Sequence, residues 1–158
     1  MLHNTYQFLA PVEFCLLALK ESDKDFFLTG SRFFGGATDK SDWDFIARQD
    51  ESTETFLRGI GFKLNEDVQD YLDPMTAKVL TKHFCFCEEH YRDQDYNGRV
   101  EHSEECQKID IQLCHDFDTK IKVRDILKES FKRNWLPGDK YQRSDLWSMV
   151  YNLVKAKE

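Results

Sequence analysis

Asp42 and Asp44 stand two residues apart in "SDWDFIAR". The run alternates, so it predicts a strand with both carboxylates on one face and Trp43 and Phe45 on the other. Two carboxylates side by side repel unless a cation lies between them. Hard oxygen ligands of this kind suit Mg²⁺, which binds through one or two carboxylates plus substrate phosphates. A third carboxylate, Asp110, sits between Ile109 and Ile111 in "KIDIQL" and can complete the site. Three carboxylates can hold two metals, one activating the attacking oxygen and one bridging the phosphates.

Gly30-Ser31 lies just upstream, at the end of the apolar run "DFFLTG". A glycine turn there lets backbone N–H groups approach a phosphate. Gly30 and Gly35 have the P-loop separation, but Gly36-Ala37 follows where Lys-Ser/Thr is required. The dinucleotide glycine spacing fails as well. A phosphate turn here must work without the P-loop lysine and beside a metal pair. Arg32 has two readings, a phosphate contact or an ion pair with a nearby acid.

Taken together, Gly30-Ser31-Arg32, Gly35 and Ser41-Asp42-x-Asp44 resemble the signature of the DNA polymerase β-like nucleotidyltransferase superfamily. The closest look is to its minimal nucleotidyltransferases. The likeness is tight over residues 26–48 and looser over 108–114. It implies an α/β nucleotidyltransferase fold, with a mixed twisted sheet, helices mainly on one face and the site on the open face. It further implies that the Gly-Ser turn holds a nucleoside triphosphate, with ATP as the default, and that Asp42, Asp44 and Asp110 bind two Mg²⁺. The implied activity transfers a nucleoside monophosphate to a hydroxyl of a small molecule, a protein or an RNA end. Asp110 is then also a candidate base. One departure is Phe33-Phe34, where family members often carry a small or basic residue. The alternative is a catalytically weak binding protein or antitoxin of the same fold, acting by contact with a partner.

Other acidic and metal-ligand patterns compete. Asp116 and Asp118 lie past the end of the "KIDIQL" strand, whereas Asp110 alternates within it. Residues 93–104, "DQDYNGRVEHSE", satisfy the EF-hand loop pattern. They run too soon into the Ile109 strand for an exiting helix, so a polar hairpin tip is expected over calcium binding. His83, Cys85, Cys87, His90, His102 and Cys106 do not have zinc-finger spacing and are read as packing or cleft-lining residues.

These groups need a scaffold. "PVEFCLLALKES" predicts a helix with Val12, Cys15, Leu16 and Leu19 inward. "DFFLTG" predicts a buried strand, "SRFFGGAT" a turn or brief helix, and "ESTETFLRGIGF" a helix from Ser52 or Thr53. "FKLNE" is read as a further strand. Asn97-Gly98 predicts a hairpin turn that sets Phe84 opposite Ile111 and Cys85 opposite Asp110. The C-terminal helices, from about residue 120, carry Val123, Ile126, Leu127 and Phe131, then Leu146, Trp147, Val150, Leu153 and Val154, with Ser144 as a cap.

The totals bound the remainder. The 158 residues carry 41% hydrophobic and 14% aromatic content, enough for one domain over 1–158 with a proper core. The net charge of -7 disfavours binding to a long nucleic acid but not to a nucleotide whose metal supplies positive charge. Five cysteines, an odd number, argue for a reducing, cytoplasmic setting. The stretch "FLAPVEFCLLALK" is too short to span a bilayer, so no membrane association is expected. No separate acceptor domain is visible, which leaves a second subunit or a partner protein to complete the cleft.

Overall fold

Strand β5, Gln107–Cys114, explains the layering of the molecule. Ile109, Ile111 and Leu113 are fully buried on one side, and Lys108, Asp110, Gln112 and Cys114 alternate onto the other. The computed structural model describes residues 11–84, 107–130 and 140–158. Along the chain run α1 (Pro11–Glu21), β1 (Phe27–Thr29), α2 (Ser31–Phe34), β2 (Trp43–Arg48), α3 (Glu51–Gly59) and β3 (Lys63–Leu64). A 3₁₀ helix (Glu66–Tyr71), β4 (Thr76–Phe84), β5, α4 (Phe117–Ser130) and α5 (Lys140–Ala156) follow. The five strands form a mixed open sheet in the order β1-β2-β5-β4-β3. Only the β2–β5 pair is parallel; the others are antiparallel.

Both faces of this sheet are covered, not mainly one. Ala47, Leu80, Ile109, Ile111 and Leu113 pack under Val12, Cys15 and Leu19 of α1, Leu57 of α3, and Phe62. The opposite face is divided along the strands. Its acidic end carries Asp42, Asp44 and Asp110, while Ile46 and Cys114, at the far ends of β2 and β5, are buried. Burying such side chains stabilises by roughly 1.5–3 kcal/mol each. That apolar end therefore takes a second layer: Phe34, Met75, Phe117, Val123, Leu127, Trp147, Val150 and Val154 cover it. The C-terminal helices follow the residues that need burial and leave the carboxylates at the edge of their cover.

Several local features differ from expectation. Strand β1 is an edge strand, with Phe27 38% exposed and lying against Phe117. Its outer carbonyl, Leu28 O, accepts from Arg124 at 2.8 Å. Helix α4 begins at Phe117, before the expected start, and Ile126 and Leu153 are exposed. Ser144 lies inside α5 and does not cap it. In the β4–β5 pair, Phe84 faces Gln107 and Thr81 faces Asp110, so the register is offset by four residues from the hairpin expectation. An even offset keeps every side chain on its face. Among the described residues, Phe84, Ile109, Ile111 and Leu113 share the apolar face as expected, while the partners differ. Residues 85–106, with the hairpin tip, the calcium pattern and Cys85, Cys87, His90, His102 and Cys106, lie outside the described residues.

Helix α3 starts at Glu51 because Asp50 caps it. Its carboxylate accepts from Thr53 N at 2.7 Å, which holds its pKa below the usual aspartate range. Asp50→Ala should lower stability by about 1 kcal/mol, read as a shift in the urea midpoint with an unchanged slope. That loss should shrink as acid protonates the wild-type carboxylate.

Candidate active site

The parallel register of β2 and β5 puts Asp44 directly beside Asp110. Antiparallel pairing extends the row on both sides, to Thr29 of β1 and to Thr81 of β4. The resulting order across the sheet is Thr29, Asp44, Asp110, Thr81, on neighbouring strands about 4.8 Å apart. Asp42 sits one step earlier, outside β2, and accepts from Lys108 N at 3.3 Å. The three acids singled out in the sequence therefore come together on one face. Asp116 and Asp118 do not join them. They pair with Lys155 and Arg48, each at 3.1 Å, beyond the end of β5.

Gly30 is fixed by this row. It has φ +70°, a conformation that L side chains avoid. A Cβ at this position would lie 2.9 Å from Asp44 Cγ and press on Asp44 Oδ2. The turn therefore approaches the carboxylate as only a glycine can. Its carbonyl accepts from Phe33 N and Phe34 N and starts α2. Ser31 is exposed at the first position of that helix.

Arg32 stands apart. Its guanidinium donates to the carbonyls of Ser41 (2.8 Å), Thr38 (3.2 Å) and Asp39 (3.3 Å), and lies 3.9 Å over the Trp43 ring. It ties the loop that leads into Asp42 and is not among the residues lining the cavity described next.

A cavity of about 370 Å³ opens over the acidic row. Gly30, Ser31, Asp42, Asp44 and Asp110 line one side; Tyr71, Lys120, Arg143 and Trp147 line the other. Lys120 is buried and held by Asp73, by Thr76 Oγ1 at 3.1 Å and by the Trp147 ring at 4.2 Å. Gln112 Oε1 is buried, and no hydrogen-bond partner for it exists among the described residues.

Electrostatics make the row costly. Burial, then Asp110 and Asp42, push the Asp44 pKa up to about 7, and Lys108 offsets part of that. Burial works against the Lys108 ammonium, but Asp110, Asp42 and Asp44 outweigh it and raise its pKa. Lys108 Nζ lies 3.6 Å from Asp110 Oδ2 and 3.9 Å from Asp42 Oδ2. Asp110 is also oriented from behind. Asn65 Nδ2 donates to Thr81 Oγ1 at 3.1 Å, and that hydroxyl donates to Asp110 Oδ1 at 2.5 Å. Asn65 is held in turn because its Oδ1 accepts from Asp67 N.

The donor set suits a hard divalent cation: carboxylate oxygens with a surplus of negative charge. Among the described residues, however, no three His, Cys, Asp or Glu side chains converge closely enough to hold a metal as they stand. A metal would need the three carboxylates to close on it. Sequence reasoning missed Lys108, although it lies two residues before Asp110 and so on the same face. Thr81, Asn65 and Arg143 carried no comparable signal, because their roles depend on β4 register and on helix packing.

Two outcomes are expected for metal-free protein. Gly30→Ala should lose about 1–3 kcal/mol in urea unfolding, part φ strain and part collision with Asp44. In a double-mutant cycle, the cost of Gly30→Ala should be smaller in an Asp44→Gly background by the collision part alone. Asp44 holds a proton in the folded state between its ordinary value of 3.8 and about 7, where the unfolded chain has released it. Wild-type stability should therefore fall as pH rises through that window and level off above it. Asp44→Asn should remove the slope, becoming more stable than wild type on the alkaline side by up to about 4 kcal/mol.

Comparison of the chain with protein-family models, with curated proteins and with solved structures finds no match in any of the three. The functional reading therefore rests on the cavity and on the residues that line it.

Proposed function

We propose that the chain is a divalent-metal-dependent nucleotidyltransferase that transfers a nucleoside monophosphate from a triphosphate, ATP by default, to a hydroxyl acceptor. The observation that carries this reading is the row of Asp44 and Asp110 on adjacent parallel strands, with Gly30 pressed against it and Asp42 alongside. The cavity above it falls within the range of small-molecule sites, roughly 300–1,000 Å³. One wall is acidic, for metal. The other combines Arg143 with Val68, Tyr71 and Leu72, a surface suited to an anionic ligand with a flat apolar part.

A divalent cation held by Asp42, Asp44 and Asp110 would neutralise charge on the phosphate oxygens and acidify the acceptor hydroxyl. Gly30 and Ser31 cradle the β- and γ-phosphates where the backbone comes closest to the row. Asp110, oriented by Thr81, accepts the hydroxyl proton. The acceptor oxygen bonds to the α-phosphorus as the bond from that phosphorus to the bridging oxygen breaks. Pyrophosphate leaves with that bonding pair. Gln112 Oε1 offers an acceptor for a hydroxyl or amino donor of the substrate.

Incubation with α-labelled ATP, GTP, CTP or UTP, Mg²⁺ and host extract should label a protein, an RNA or a small molecule. Asp42→Asn/Asp44→Asn and Asp110→Asn should cut transfer at least about 10²–10³-fold while leaving the far-ultraviolet circular dichroism unchanged. If the double variant keeps full Mg²⁺-dependent binding and turnover, the reading is wrong. No transfer with any of the nucleotides, alongside stable co-purification of a partner, would favour a binding protein that acts by contact.

A further inference from the structure

Lys108 has no place in the reaction just described, yet it lines the cavity beside its carboxylates. It alternates onto the acidic face of β5, its backbone N–H donates to Asp42, and its side chain is 30% exposed. Its ammonium is 3.6 Å from one Asp110 oxygen and 3.9 Å from one Asp42 oxygen. Both separations exceed a normal hydrogen bond, so the ammonium bridges the two acids chiefly through charge and lies nearer to Asp110. His83 of β4 is its register partner, and Asp44 faces it from β2.

We infer that Lys108 is a built-in cation that holds the three carboxylates together in the metal-free protein and is exchanged for the divalent metal. This inference rests on the metal-dependent reading above. The charge arithmetic motivates it. Asp42 and Asp110 bring two negative charges against one ammonium, a mismatch that a divalent ion in the ammonium's place would remove. An ammonium and a divalent cation cannot share the space between Asp42 and Asp110, because both positive charges would face each other at contact distance. The exchange explains why the acids stand near one another yet not closed to a metal-binding distance. It also sets a threshold: metal must outcompete a tethered cation whose local concentration is fixed by the strand.

Two ligand-free measurements test this with Mn²⁺ and Mg²⁺ alone. In calorimetry without nucleotide, Lys108→Met should bind Mn²⁺ at least about tenfold more tightly than wild type, which corresponds to about 1.4 kcal/mol. Lys108→Arg, which keeps the charge, should not gain affinity. In the wild-type protein, amine-reactive labelling of Lys108, mapped by mass spectrometry, should rise several-fold on saturation with Mg²⁺. This second measurement needs no variant and stands if Lys108→Met fails to fold. Equal Mn²⁺ affinity in wild type and Lys108→Met, or labelling indifferent to Mg²⁺, overturns the inference and leaves the metal reading intact. No binding of either ion by wild type or variant overturns both.

Discussion

Pairing β2 parallel to β5 places Asp44 and Asp110 as neighbours on one face, and like charges so close oppose the fold that brings them together. The sheet tolerates this because the opposite face of the same two strands is its driest part. Ile109 and Ile111 are fully buried there directly behind Asp110, with Ala47 and Leu113 further along, and the half-buried Trp43 and Phe45 stack behind Asp44. Hydrophobic burial on one side thus sustains electrostatic tension on the other. Proton uptake by Asp44, the Lys108 ammonium and the Thr81 hydroxyl each reduce that tension locally. The core sustains the site, and these contacts lessen the repulsion within it.

The divided face of the sheet follows from the same strands. Two residues beyond Asp44 the chain places Ile46, and four beyond Asp110 it places Cys114, both buried. Helices α4 and α5 close over that apolar end, and their edge becomes a wall of the cavity. Lys120 links the layers, since it is buried on α4 and held by Asp73 and Thr76 at the start of β4. Removing one partner of such a pair leaves an uncompensated charge, so the wall is pinned where it meets the sheet.

Much of this was legible in the sequence where period two governs. Alternation alone assigned Asp42 and Asp44 to one face of their strand and Asp110 to the polar face of another, the resemblance brought the three together, and α1 followed from the spacing of Val12, Cys15 and Leu19. The mixed sheet was anticipated as well. What escaped depended on residues far apart in the chain. The β4–β5 register cannot be fixed by alternation, since any even shift preserves the faces. The cover on the second face depends on Ile46 and Cys114 meeting helices more than 70 residues from β2. Arg32 was open to a phosphate contact or an ion pair, whereas three carbonyls of the 38–41 loop engage it. Such carbonyls have no signature in side-chain type. Asp50 was overlooked as a cap because Ser52 and Thr53 stand close behind it and are equally common at helix starts.

The two sides of the cavity come from different stretches of chain. The acidic side is made by residues of the 29–44 and 108–112 segments, and the facing wall by residues 68–76 with Lys120, Arg143, Ser144 and Trp147. The first is constrained by strand register and by a glycine without room for a Cβ. The second is built from helix surface, where Tyr71 and Tyr141 meet edge to face and Arg143 and Ser144 look inward. Helix surface tolerates exchange of side chains far better than a register-locked strand does. Selection can therefore retune what this cavity admits, one wall residue at a time, without disturbing the carboxylates opposite.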